Sequence, residues 1–231
     1  MEFADAIYSS FAVIAQTAKD SGVLNWLTTK YEAGGIFMHP ILACLVVGLA
    51  FVFERMWTLS RARVNTKDFI TKVKSALDTG GIEAAKELCA NTRGPVASVF
   101  HAGLLRADEG LESAEKAIMT YGGIEMGFLE KGLIWISTFI TLAPMLGFTG
   151  TVQGMIEAFD AIKEAAQISP AIVADGIAIA LLTTLFGLVV AMTLQVFYNY
   201  FVSRIDSLVS DMEESSVALI DALYELKTKK K

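Results

Sequence analysis

Three stretches without a single Asp, Glu, Lys or Arg constrain this chain more than any other feature. They are residues 33–53, between Glu32 and Glu54, residues 132–156, between Lys131 and Glu157, and residues 176–203, between Asp175 and Arg204. A bilayer core is about 30 Å thick and takes about 20 helical residues to cross. The first stretch just meets that length. The second and third exceed it, so their helices should tilt or project into water. Hydrophobic residues make up 54% of the 231 residues, charged residues 19%, and the mean hydropathy is +0.50. That is more apolar than a water-soluble domain of this length. The expected fold is an all-α membrane protein with three transmembrane helices, at 35–53, 132–156 and 171–203. The second and third are long and extend into a cytoplasmic helical bundle.

Basic residues set the expected orientation. Sixteen of the nineteen Lys and Arg fall either between the first and second stretches or after the third, and only Lys19, Lys30 and Lys163 lie on the other side. Arg55, Arg61 and Arg63 stand directly at a membrane exit, where such charges mark the cytoplasmic face. The N-terminus and the 157–170 loop are therefore expected outside, and the 54–131 domain and the 204–231 helix inside. Residues 1–34 lack a basic n-region and so do not read as a cleavable signal peptide. Phe3, Ile7, Phe11, Ile14 and Ala18 recur there at helical spacing, as in an amphipathic helix lying on the outer interface. In the cytoplasmic domain, one apolar stripe is Phe69, Val73 and Leu77, and another is Val96, Val99, Phe100, Leu104 and Leu105. Breaks are expected at Gly80 and Gly81, from Asn91 to Pro95, and at Gly110. From Leu111 the chain reads as running unbroken into the second span.

Several classes of function are disfavoured. A net charge of −6 argues against a nucleic-acid partner. Cys44 and Cys89 suggest neither a disulfide framework nor a metal cluster. No phosphate loop or nucleophile–base arrangement is present, so neither enzyme chemistry nor a cofactor is expected. His39, beside Pro40, reads as an interfacial side chain, and His101 as a helix-surface or packing residue.

The long spans have sorted faces. At about 100° per residue, Ala143, Gly147, Gly150, Gly154 and Ala158 share one face of the second. Ser137, Thr141, Phe148 and Thr151 fall on the adjoining stripe. In the third, Gly176, Ala180, Thr183, Thr184, Gly187 and Ala191 lie within about 100° of arc. Small faces let helices approach closely. A membrane Thr often bonds only the carbonyl one turn back, but two helices with the same arrangement favour a polar lining. No ionisable group lies at mid-depth in any span, although ion paths ordinarily need one. A partner helix is therefore expected to supply the carboxylate.

These residues form recognisable motifs. APMLGFTGTVQGM at 143–155 and GIAIALLTTLFGLVVA at 176–191 resemble the second- and third-span motifs of the MotA/TolQ/ExbB proton-channel family. The ExbB/TolQ branch is the nearer one: the likeness takes in the first span and its FERMW exit at 53–57, and the YNYF at 198–201. The resemblance implies an inner-membrane motor subunit forming a pentamer around an ExbD- or TolR-like partner. The partner's aspartate would carry the proton, and the work would pass to a TonB- or TolA-like transducer. It implies that Thr151 and Thr184 line the ion path; Thr183, Thr141 and Ser137, on the same stripes by helical period, are expected to line it too, and Gly147, Gly150, Gly154, Gly176, Ala180 and Gly187, on the small faces, are expected to pack helices. Two positions depart from the family pattern. Ile179 stands where many members carry Glu. Asp175 replaces a common Pro, and it is expected to cap the third helix rather than attract cations at the outer mouth. A sodium-driven motor and a non-conducting scaffold are the rival readings.

Overall fold

The computed structural model describes residues 22–62, 66–165 and 170–229. The expected amphipathic helix over 3–18 lies outside them. Among the described residues there are seven α-helices and no strand: α1 (Val23–Ala33), α2 (Met38–Ala62), α3 (Thr66–Ala90), α4 (Pro95–Leu105), α5 (Leu111–Glu130), α6 (Leu133–Ala165) and α7 (Pro170–Lys229). Three stretches are long and apolar enough to cross a membrane: Met38–Arg61, Leu111–Glu164 and Val173–Thr228. The chain folds as two compact units. One comprises Met1–Gly48 with Thr138–Leu194, the other Leu49–Ser137 with Gln195–Lys231.

In the first unit, α1 stops where Gly34 and Gly35 cap it through Tyr31 O (3.2 Å) and Glu32 O (3.4 Å). Gly35 then takes φ +72, a left-handed value that costs a glycine little, and turns the chain into α2. Pro40 sits in the first turn of α2, where its missing N–H is not needed. His39 is exposed, bonds Ile36 O at 3.2 Å and meets the Tyr31 ring edge-on at 5.6 Å. The interfacial reading of His39 agrees with these contacts. Met38, Ile41, Ala143, Ala158, Ala180, Val190 and Leu194 form the core. Gly48 admits Leu194, whose Cδ1 would lie 2.7 Å from a Cβ placed on that glycine. Outward-facing residues are large and apolar: Val46, Met145, Phe148, Phe159, Leu181 and Met192 are each at least 60% exposed, a surface suited to lipid or to other helices.

In the second unit, the expected stripes form the core. Phe69, Val73, Leu77, Val96, Val99, Phe100 and Leu104 are buried, while Leu105 is exposed. Phe69 and Phe100 rings sit 5.7 Å apart, and Gly103 lets α4 close on Ile118 of α5. The breaks fall at Gly81 (φ +72), Gly94 (φ +130) and Gly110 (φ +123). Lys86 reaches both Glu83 (2.7 Å) and Asp108 (3.2 Å), tying α3 to the turn before α5. The Glu83 bond is the main reason its ammonium is held above the usual lysine range, against the opposing pull of burial.

Two expectations change. The run from Leu111 is not continuous: Gly132, at φ +98, separates α5 from α6. Conversely, α6 stays helical to Ala165, through most of the stretch expected as a loop. Gln153 donates to Glu157 at 3.1 Å across that boundary, an i,i+4 contact that supports a helix. After Gly187 the sequence has no further Gly or Pro, so nothing interrupts α7 over its 60 residues.

Candidate ion path

The site is built by glycines. On α6 and α7, small residues pair in antiparallel order so that backbone meets backbone. A Cβ added to Gly187 would lie 2.6 Å from Ala143 O, one on Gly147 2.8 Å from Thr183 O, and one on Gly154 2.6 Å from Gly176 O. Gly176 would meet Gly154 O at 2.5 Å, and Gly150 the Thr183 side chain at 2.6 Å. Real Cβ atoms do not tolerate such distances, so any side chain at these positions drives the helices apart.

That closeness lets a hydroxyl on one helix reach a carbonyl of the other. Thr151 and Thr184 Oγ1 lie 2.5 Å apart. Thr151 Oγ1 is 3.2 Å from Gly147 O on its own helix and 3.2 Å from Ala180 O across the contact. Thr184 Oγ1 is 3.2 Å from Gly147 O across the contact. Gly147 is one turn before Thr151, and Ala180 one turn before Thr184. Each hydroxyl thus addresses the carbonyl that precedes the other. Two hydroxyl protons serve this set, so one threonine donates to the other while the second donates to a carbonyl. Exchanging the two roles, so that the other threonine makes the hydroxyl–hydroxyl donation and its partner donates to a carbonyl, gives an equally satisfied arrangement. Both threonines are half-buried and lie in the charge-free stretches.

The other candidates sit elsewhere. Thr183 is fully buried against Gly150 and bonds Ile179 O and Ala180 O of its own helix, both at 3.0 Å. Thr141 is exposed, ten residues before Thr151, with its hydroxyl on Thr138 O at 3.1 Å. Ser137 is exposed. Ile179 faces the turn at Gly35, where a Cβ would come 3.5 Å from its Cγ2. On helical geometry it is about 140° around α7 from Thr184, so a carboxylate at 179 would not join the threonine pair. Asp175 corrects an expectation. Helix α7 begins at Pro170, which places Asp175 inside the helix and exposed rather than at its N-cap. The two backbone carbonyls escaped notice in the sequence. The readable signal was a small residue four positions before each threonine, Gly147 before Thr151 and Ala180 before Thr184.

The arrangement defines a helical membrane protein whose two long apolar helices meet through glycines and share a hydroxyl pair. The MotA/TolQ/ExbB proton channel family matches residues 91–214. A relative described as an ExbB homolog of biopolymer transport, from Methanothermobacter thermautotrophicus, is 33% identical over 196 residues, covering 83% of this chain and 69% of the relative. The biopolymer transport protein ExbB of Salmonella typhimurium is 26% identical over 79% of this chain and 82% of its own. The Tol-Pal system protein TolQ of Pseudomonas aeruginosa is 26% identical over 75% and 80%. The chain belongs to the MotA/TolQ/ExbB proton channel family, in its ExbB/TolQ branch. It is a membrane subunit of an energy-transducing system.

Proposed function

We propose that the chain is a ring-forming inner-membrane subunit, a pentamer by likeness to its branch, of a motor driven by the proton motive force. Its partner is an ExbD- or TolR-like membrane protein that brings an aspartate, and the output passes to a TonB- or TolA-like transducer serving outer-membrane transport or envelope maintenance. The protein is a transport component, not an enzyme, with its N-terminus periplasmic and C-terminus cytoplasmic. The observation that carries this reading is the Thr151–Thr184 pair at 2.5 Å, bridging two spans with no charge of their own.

The pair's reversibility matters for a titrating partner. A carboxylate needs a hydrogen-bond donor, and a carboxylic acid needs an acceptor. A fixed cation would trap the ionised form. Two hydroxyls that can exchange donor and acceptor roles serve both forms, so a partner aspartate keeps its freedom to take up and release a proton.

The test is proton flux into vesicles holding the assembled complex. Thr151→Val and Thr184→Val should each lower flux at least about tenfold, the scale of one hydrogen bond to a charged group, with assembly intact. Thr151→Ser and Thr184→Ser should retain most of it. Thr183→Val, which removes a hydroxyl bonded within its own helix, should leave flux within about twofold. Full flux in both valine variants at positions 151 and 184 would sink the lining role. Output that follows sodium at fixed proton motive force would favour the sodium-driven reading, and flux independent of the partner's aspartate the scaffold.

A further inference from the structure

The joint between α5 and α6 carries an inference independent of the ion path. Helix α5 ends at Glu130, Lys131 is extended (φ −55, ψ 123), and Gly132 takes φ +98 before α6 begins at Leu133. Glycine is required there twice over. The φ is left-handed, and a Cβ would come within 3.0 Å of Arg55 Nε, 3.3 Å of its Cζ and 3.4 Å of its Cδ. The guanidinium of α2 therefore rests against the backbone of the break. One turn earlier in α2, Phe51 stacks on Trp135 just beyond the break, centroids 6.1 Å apart and planes 14° apart. Helix α2 thus holds the joint at two neighbouring points.

Arg55 is unusual at a membrane exit. Its side chain is only 9% exposed, while its partner Glu54 is 50% exposed. Nε and Nη2 donate to the two Glu54 oxygens at 2.6 and 2.7 Å, and Thr58 donates to Glu54 Oε1 at 2.9 Å. Nη1 is buried and has no hydrogen-bond partner among the described residues. A buried, charged donor without an acceptor is costly, and where one persists it calls for a specific physical account. The last four carbonyls of a helix lack intrahelical donors, and those of α5 lie directly at this joint. Among them, Gly127 O is taken by Lys131 N–H at 3.1 Å.

We infer that Lys131 and Gly132 form a hinge between α5 and α6, and that Arg55 is its latch. Held by Glu54, the guanidinium stays in place while α5 swings about Gly132. In the second position Nη1 takes up a carbonyl from the C-terminal turn of α5. The hinge therefore has two discrete positions rather than a continuum.

Double electron–electron resonance on the full-length protein in lipid nanodiscs, with doubly labelled chains diluted into a large excess of unlabelled ones so that only distances within one chain are read, tests this. Spin labels go on Ser60→Cys in α2 and Thr120→Cys in α5, both exposed, with the buried Cys44 and Cys89 left in place. Two distance populations are expected. Arg55→Met should shift their ratio by about threefold or more, the effect of one net hydrogen bond. Should that variant fail to fold, Arg55→Lys keeps the charge beside Glu54 but lacks the planar fork that grips both Glu54 oxygens while Nη1 points away from them, and it should shift the ratio in the same direction. Gly132→Ala should remove one population. A single population in the unsubstituted chain, or a ratio that neither Arg55 variant moves, overturns the hinge.

Discussion

At the scale of single residues, adjacency in sequence says little about role. Thr183 and Thr184 are neighbours, yet one is buried against Gly150 with its hydroxyl on its own helix, and the other bonds across to Thr151 and Gly147 O. Their common presence on a polar stripe was legible from periodicity. The difference between them was not, because it depends on which side of the α6–α7 contact each hydroxyl leaves. Arg55 shows the same limit: beside Glu54 at a helix exit it reads as a surface ion pair, yet it is buried, with its guanidinium against Gly132. Cys89 offers a direct check on the core of the second unit. Burial pushes its thiol up to about 12, so at pH 8.5 the folded protein should react with iodoacetamide at least about a hundredfold more slowly than the unfolded chain. The sign of the linkage follows. Between roughly pH 8.5 and pH 12 the unfolded thiol loses its proton while the folded one keeps it, so stability falls as pH rises through that window. Fast labelling under native conditions would contradict the buried placement.

At the scale of elements, glycines do opposite work in different helices. In α6 and α7 they set the distance between backbones. Gly147→Ala places a methyl 2.8 Å from Thr183 O and 3.1 Å from Thr184 Cα, so the helices must part and the threonine pair must lengthen. Thermal unfolding in detergent should show a loss of about 1–3 kcal/mol, and flux should drop although neither threonine is changed. In α5, Gly122 and Gly123 have nothing within 4 Å of an added Cβ. Alanine there should stabilise the protein by about 0.5–1 kcal/mol through helix propensity. Opposite outcomes in the two sets would reverse the packing assignment. The small faces of 143–158 and 176–191 were readable because a 3.6-residue period places them together whatever the partner. The break at Gly132 was not. Gly122, Gly123 and Gly127 precede it and stay helical, so a glycine by itself does not tell a tolerated position from a joint. What distinguishes Gly132 is Arg55, which is 77 positions away.

At the scale of the whole molecule, the proposed topology rests on where the basic residues lie. Sixteen Lys and Arg on one side against three on the other predict that Asn25→Cys is labelled by a membrane-impermeant maleimide added outside intact cells. Thr228→Cys should be labelled only after the membrane is opened. The reverse pattern would invert the orientation. Each of the two compact units joins segments that are far apart in the chain. Met1–Gly48 pairs with Thr138–Leu194, and Leu49–Ser137 with Gln195–Lys231. No local pattern announces such a pairing, because hydrophobic period fixes which face of a helix is apolar and not which other helix covers it.

The sequence alone therefore determined the features that are local or statistical: three spans from charge-free length, the expected side from basic residues, the apolar and small faces from helical period, and the family from two ordered motifs. The tertiary structure decided what depends on distance between separate helices. It brought Thr151 and Thr184 to 2.5 Å by letting glycine backbones touch, and it turned Ile179 toward the turn at Gly35. It also seated Arg55 against Gly132. The physical reason is the same in each case. A hydrogen bond or a close contact is settled within a few tenths of an ångström, and a one-dimensional pattern fixes direction around a helix but not separation between helices.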